Sequence, residues 1–248
     1  MIIFLFFILH WYLSLFVQTF FHHRYGAHQM FYMNKFWERT FHLLGYLFQG
    51  SSYLSPRAYG IMHRMHHAYS DTEKDPHSPH FHNNVFNMMW QTRKVYNDLV
   101  DRKIVTEERF SKDLPEWPLI DNFGETLISR VGWGILYIAF YIAFATKWWM
   151  FLLLPIHFLM SPVHGAIVNW FGHKLGYANF DNNDQSKNSL VFDFIMLGEL
   201  FQNNHHKHAK SVKFSAKWYE MDPTYPVIKL LSWLGIIRFK NSVTKEEF

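Results

Sequence analysis

The sequence predicts an all-α fold: an integral membrane helical bundle with about three transmembrane spans and a cytosolic helical cap, forming one domain over residues 1–248. Three observations predict it. Half the residues (49%) are hydrophobic and 20% aromatic, yet mean hydropathy is near neutral, so very apolar stretches alternate with very polar ones. Residues 1–21 carry no charged side chain apart from a histidine. Of the 24 Lys and Arg residues, only Arg130 and Lys147 fall inside the apolar regions.

Residues 1–21, as a helix, cover about 30 Å, the hydrocarbon thickness of a bilayer. The stretch lacks a basic start and a small-residue cleavage site, so it reads as a retained span. Residues 40–54 are apolar but short and broken by Gly and Ser, which suits an interfacial or re-entrant segment. Two further spans are expected at Leu127–Ala145 and Trp148–Phe171, joined by a tight turn with Trp148 and Trp149 at the level of an aromatic belt. Pro155 and Pro162 should kink the later span, as membrane helices tolerate. The C-terminal run PVIKLLSWLGII suits a helix on the membrane surface or one packed on the core. With three spans both long polar regions share one side, and their basic residues make it the cytosolic side.

There is no cysteine, so disulfides, thiolate zinc sites and iron–sulfur ligation are excluded. No basic run stands out, so nucleic-acid binding is not expected. Seventeen histidines are many for this length, and histidine is the commonest metal ligand. They gather in four stretches: HRYGAH (His23–His28), HRMHH (His63–His67), NWFGH (Asn169–His173) and QNNHH (Gln202–His206). Residues three or four apart share a helix face, so His63 faces with His66 and His67, Asn169 with His173, and Gln202 with His205 and His206. His23 and His28 are five apart and converge only if the helix ends or bends between them, for which Gly26 is the candidate. Single histidines are ordinarily core or surface residues, and His42, His80, His82 and His157 read that way. Eight boxed histidines (His23, His28, His63, His66, His67, His173, His205 and His206) are too many for one ion and suit two. Imidazole suits zinc, copper, iron and nickel. The carboxylates of bundle-type di-iron proteins are missing from these patterns, and two irons in a nearly all-nitrogen shell are the inference.

HRYGAH, HRMHH followed by SDTEKDPH, NWFGH and GELFQNNHH together resemble the histidine boxes of the membrane fatty-acid desaturases, in particular the acyl-CoA type. The resemblance runs from His10 to about Arg238. It implies two iron ions, dioxygen as oxidant and two electrons from an external donor such as ferredoxin and its reductase, since no fused haem carrier domain is seen. It implies removal of two hydrogens from adjacent methylenes of an acyl-CoA or lipid-linked chain, giving a cis double bond, with the ninth carbon expected. Asn169 would hold an iron-bound water. The setting would be a bacterial-type inner membrane with the boxes on the cytosolic side. Two departures stand out: Gln202 replaces the usual histidine of the last box, and the usual span before the first box is not seen. Gln202 is expected to line the site, as a weak oxygen ligand or by hydrogen-bonding a bound water.

Ligand histidines normally donate their second N–H to a carboxylate or carbonyl. Glu199, Asp71 and Asp75 are the candidates, with His77 and His164 as further supports of the site. Arg57, Arg64 and Lys74 are candidates for an anionic head group. A related hydroxylase is the nearest alternative. A metal transporter would place its ionisable groups within the spans, and a catalytically silent relative is the reading Gln202 alone would favour.

Overall fold

The computed structural model describes residues 1–240. Helix α1 (Ile2–Val17) runs without interruption into a π-helix, Gln18–Ala27, so the first apolar rod is 26 residues long and ends beyond the expected residue 21. Helix α2 (Lys35–Gln49) starts where the Asn34 side chain accepts a hydrogen bond from the Trp37 N–H, a cap that satisfies one orphan donor. It thus begins ahead of the apolar segment at 40–54, buries Phe41, His42, Gly45 and Gln49, and ends in a 3-10 turn, Gly50–Ser52. Helix α3 (Pro56–Tyr69) carries HRMHH; Ser55 caps it and Pro56 occupies its first turn. Then come α4 (Val85–Val100), α5 (Glu108–Ser111), α6 (Pro118–Gly124) and α7 (Leu127–Phe144). Beyond a 3-10 stretch, Trp148–Leu153, lie α8 (Leu154–Phe158), α9 (Met160–Lys174), α10 (Gln202–Lys207) and α11 (Thr224–Trp233).

The all-α expectation misses one feature. Strands β1 (Phe31–Met33) and β2 (Ile237–Phe239) pair antiparallel, Tyr32 opposite Arg238. Three-residue strands this far apart in sequence leave no periodicity to read.

Two helices, Ile2–Ala27 and Leu127–Phe144, are long and apolar enough to cross a membrane. The third expected span is broken: Trp148–Phe158 and Met160–Lys174 meet at 72°. The physical reason is local. Pro162 has no N–H for the Phe158 carbonyl, and Leu159 leaves the helical region. The freed groups are met by the Gly50–Ser52 turn. Ser51 Oγ donates to the Phe158 carbonyl (3.2 Å), and Ser52 Oγ accepts from the Ser161 N–H (3.1 Å). Gly50 is needed at this joint. Its φ is +53°, and a Cβ there would lie 1.8 Å from the Tyr137 hydroxyl. Gly50→Ala is therefore expected to cost on the order of 1–3 kcal/mol through overpacking, and an unchanged melting temperature would refute this packing.

The apolar rods are outwardly greasy: Leu5, Ile8 and Leu9 on α1 and Ile128, Ile135 and Ile142 on α7 are exposed, as a lipid-facing surface would be. Inside, Ile3, Tyr137, Tyr141, Met150 and Leu154 pack together. Buried polar groups join the rods. His10 and His157 meet nitrogen to nitrogen at 2.6 Å, and the Tyr141 hydroxyl lies 2.9 Å from His157, an interhelical contact of the kind that holds apolar bundles together. A second core, with Phe20, Phe21, Phe31, Phe41, Phe201, Phe214 and Ile228, lies where α1 ends and draws in α2, the β-ribbon, α10 and α11. Helix α11 buries Ile228 there and exposes Leu230 and Trp233, so it is both packed and amphipathic.

Candidate metal centre

The π-helix is the first device of the site. Its turn is closed by i→i+5 hydrogen bonds, and the His28 N–H bonds the His23 carbonyl at 3.0 Å. Residues five apart therefore stack on one face, which brings His23 and His28 together. The helix ends at Ala27, between the two histidines as expected, and does so through this wider turn. Its last carbonyls, Gly26 and Ala27, accept from Arg64 of HRMHH at 3.1 and 2.7 Å. Arg64 also bonds the Lys112 and Phe110 carbonyls, and Arg57 bonds the Leu99 carbonyl and pairs with Glu116. Both candidate head-group arginines thus hold backbone, and Lys74 lies over the Tyr69 ring. Arg24, fully buried, pairs with Asp222 at 2.8 Å and stacks on Phe214, which pins the first rod to the segment before α11.

The eight boxed histidines fall into two groups, each with its ligand atoms within 4.8 Å of one another: His23, His28, His63, His67 and His205, and then His66, His173 and His206. The Nε2 atoms converge. His28 meets His63 at 2.7 Å, His205 meets both His23 and His67 at 3.0 Å, and His66 meets His206 at 3.3 Å.

Carboxylates grip the opposite nitrogens. Glu199 lies 2.6 Å from His23 Nδ1 and takes the Thr19 hydroxyl on its other oxygen. Asp75 accepts from His66 Nδ1 at 2.9 Å, and Asp71 accepts from His173 Nδ1 at 2.9 Å. Asp184 accepts from His206 Nδ1 at 2.6 Å. Burial opposes ionisation of Asp71 and Asp184, but the bonds to His173 and His206 hold both below the usual carboxylate range. Asp71 reaches His173 from a left-handed backbone (φ +56°), which Asp tolerates better than most residues. It also ties the loop after α3 to the 175–201 segment by accepting from the Gln185 N–H.

This arrangement fixes tautomers. A carboxylate on Nδ1 requires a proton there and leaves a lone pair on Nε2. His66 and His206 then point lone pair at lone pair across 3.3 Å, and the buried His173 Nε2 beside them has no partner. Burial drives the His28, His63, His66, His67 and His205 imidazoles well below the usual histidine range, and neighbouring imidazoles add to it. Protons therefore do not relieve the repulsion near neutrality. A metal cation does, and a set of neutral imidazoles is a donor set for one.

The other candidates lie around these two groups. His77 is buried, its ring tilted against His66 with centroids 4.4 Å apart, and burial pushes it down to about 3. His66, Asp75 and His77 also form a close trio, but Asp75 there grips His66 Nδ1 and caps the turn at Asp71 and His77. Gln202 is buried against Gly172, and its amide nitrogen donates to the Glu199 carbonyl at 2.6 Å. Its carbonyl oxygen is thereby the end left to act as an acceptor. Gln202 and Asn169 line one cavity of about 900 Å³ together with His23, His63 and His77. His164 lines that cavity too, packed edge-on against Trp11 rather than against a boxed histidine. His42 is a core residue bonded to Asp121, and His80 bonds the His173 carbonyl. Sequence reasoning misses Asp184. It lies 22 residues before His206 in a loop, so no helical spacing points to it; the acidic turn DNND is the only signal.

A profile described as "Fatty acid desaturase" matches residues 1–231. The sn-1 stearoyl-lipid 9-desaturase of Synechocystis sp. is 30% identical over 224 residues, covering 87% of this chain and 64% of that protein. The sn-1 stearoyl-lipid 9-desaturase of Anabaena variabilis is 29% identical, covering 86% and 74%. An acyl-CoA 5-desaturase of Anemone leveillei is 27% identical, covering 95% and 74%. This chain thus spans 64% of the length of the Synechocystis relative.

Proposed function

The chain belongs to the fatty acid desaturase family, and on that footing we propose that it inserts a cis double bond, at the ninth carbon, into a saturated acyl chain. The observation that carries the proposal is the pair of histidine groups with converging ring nitrogens, in which Asp75 and Asp184 on the Nδ1 atoms of His66 and His206 turn the Nε2 lone pairs of those two rings toward each other. The family generally uses two irons, and this donor set fits them. His23, His28, His63, His67 and His205 would hold one; His66, His173 and His206, with Gln202 and Asn169 at hand, would hold the other. Two irons supply, with dioxygen and two external electrons, an oxidant strong enough for an unactivated C–H bond. The balance is two hydrogens from adjacent methylenes, one dioxygen, two electrons and two protons in, and one alkene and two waters out.

The chain's own residues contribute position and exclusion. The four carboxylates hold ring orientation, which a loose ligand set would lose. The cavity, with Leu15, Met62, Met89 and Val168 among its apolar lining, holds an alkyl chain beside His23, His63 and Asn169 in a fixed register, and register decides which bond reacts. The substrate is a lipid-linked or thioester acyl chain, the electron donor a separate carrier such as ferredoxin with its reductase. The setting is a bacterial-type inner membrane with the histidines on the cytosolic side. The apolar, outward-facing surfaces of α1 and α7 and the basic polar regions support that placement.

The test is lipid analysis of a host expressing the chain with a competent donor. Methyl esters should gain a cis-9 monoene; an alcohol at the same carbon would make the enzyme a hydroxylase, and unchanged lipids with iron-loaded protein would defeat the proposal. Gln202→His should keep two irons per chain and raise metal retention, because imidazole is a more basic ligand than an amide oxygen. A variant indifferent in metal content and activity would put Gln202 outside the centre.

A further inference from the structure

Just before α10 lies a segment whose surface is inverted for water. The run LVFDFIMLGEL, residues 190–200, forms turns rather than a helix and is too short to cross a bilayer. Met196 and Leu200 are buried against Leu15 of α1. Val191, Phe192, Phe194 and Ile195 turn outward and are exposed, while Asp193, the charged residue among them, is fully buried.

Asp193 is engaged by the loop's own backbone. Its carboxylate accepts from the N–H groups of Met196, Gly198 and Leu200 at 2.8, 3.0 and 2.8 Å. The carbonyls have donors too: Val191 from the Met221 N–H, Met196 from the Glu199 N–H, and Leu197 from the Thr224 hydroxyl. The Ile195 carbonyl accepts from the Trp11 indole N–H at 3.0 Å, at the outside of the structure. In water a surface carbonyl needs no such partner. Irregular backbone at membrane depth is tolerated only where protein meets its polar groups, and here the backbone is turned inward and bonded while apolar side chains cover it.

Trp11 sets the depth. Phe6 packs on Phe140 and His10 on Tyr137, so α1 and α7 run side by side in opposite directions. Trp11 is thus level with Tyr137, near the middle of α7 (Leu127–Phe144). His23, at the histidine end of the first rod, is twelve residues beyond Trp11, about 18 Å at 1.5 Å per residue. The Ile195 carbonyl therefore stands well below the histidines, at a level where the rod exposes Ile8, Leu9 and Tyr12.

On the footing that the rods lie in a bilayer, we propose that Val191–Ile195 is a re-entrant loop whose four apolar side chains enter the hydrocarbon of the leaflet on the histidine side. Its partner is lipid acyl chain, and it is a membrane contact additional to the spans. Met221 bridges Phe192, and the exposed Trp218 and Tyr219 just before it suit the adjoining interface, where aromatic rings with a polar edge gather. The chain runs from this loop into Glu199, which grips His23, and into α10 with His205 and His206. The bilayer thereby holds a segment that belongs to none of the spans yet delivers the last histidines to the centre.

The chain has no cysteine, so single-cysteine variants take one nitroxide label each. Phe192→Cys, Phe194→Cys and Ile195→Cys are labelled in the full chain in vesicles of phosphatidylcholine and phosphatidylglycerol. Leu9→Cys, exposed on α1, is the spanning reference, and the exposed Lys103→Cys is the aqueous one. Each label's spin relaxation is read with oxygen, which concentrates in hydrocarbon, and with a water-soluble nickel chelate. The three loop labels should follow Leu9→Cys, relaxed by oxygen and losing most of the nickel effect seen at Lys103→Cys. Loop labels that respond to nickel as Lys103→Cys does, while Leu9→Cys does not, overturn the loop and leave the spans standing. Labels shielded from both reagents and broadened by a second spin place another copy of this chain on the face, which also overturns it. A Leu9→Cys label open to nickel defeats the membrane placement and the loop with it. The readout needs neither iron nor turnover, so it is separate from the fate of the desaturase function.

Discussion

His205→Ala is expected to abolish desaturation and to remove at least one of the two irons, the largest loss from any single ligand. The reason is connectivity. The His205 Nε2 lies 3.0 Å from the Nε2 of both His23 and His67, so it joins the π-helix to α3 through the five-histidine group. The ring is also buried and packed on Phe214, which carries Arg24 on its face. Truncation therefore removes a ligand and opens a hole beside a buried ion pair. Asp184→Asn should be milder and more diagnostic. It keeps the volume but can present N–H to His206 Nδ1, which permits the wrong tautomer, and outer partners of this kind are worth about 10–100-fold in metal affinity or activity. Iron content and monoene yield should fall together in both variants. If Asp184→Asn leaves both at the wild-type level, the loop at 184 does not support His206 in the way the 2.6 Å bond implies.

The histidine pattern was legible because three- and four-residue spacings have a direct meaning on an α-helix. It grouped His63 with His66 and His67, but it could not say that His66 turns away from its neighbours to join His173 and His206. That split depends on where α9 and α10 dock, which is a tertiary matter. The five-residue spacing of His23 and His28 requires the helix to end or bend between them, and it ends at Ala27; the π-turn that aligns the two rings has no sequence signature and is seen only in its i→i+5 bond. Arg57 and Arg64 looked like anion-binding groups from charge alone. Their carbonyl partners at Leu99, Gly26 and Ala27 are distant in sequence and carry no signature. The broken third span was half legible: Pro155 and Pro162 announced a kink, while the serines of the Gly50–Ser52 turn that make a 72° bend tolerable lie about a hundred residues earlier.

Acid should unfold the iron-free protein under conditions that leave ordinary domains intact. His28, His63, His66, His67 and His205 are held well below the usual histidine range, by burial first and by neighbouring imidazoles second. Below about pH 6.5 the unfolded chain binds protons that the folded chain does not, so stability falls with falling pH and is flat above about pH 7.5. Each such histidine contributes a slope of up to about 1.4 kcal/mol per pH unit. Five of them between about pH 6.5 and 5.5 amount to several kcal/mol, comparable with the whole stability of a typical domain. The carboxylates do not oppose this: Asp71 and Asp184 are held below the usual carboxylate range, so the stability they contribute is lost only at far lower pH. Iron adds stability by mass action on the folded state, so the loaded protein should melt higher at every pH until protons displace the metal. Thermal unfolding of the iron-free protein in detergent at about pH 7.5, 6.5 and 5.5 measures the effect. A melting temperature constant across that window would mean the histidines charge freely in the fold, and a centre so open to protons would not force lone pairs together as the geometry of His66 and His206 requires.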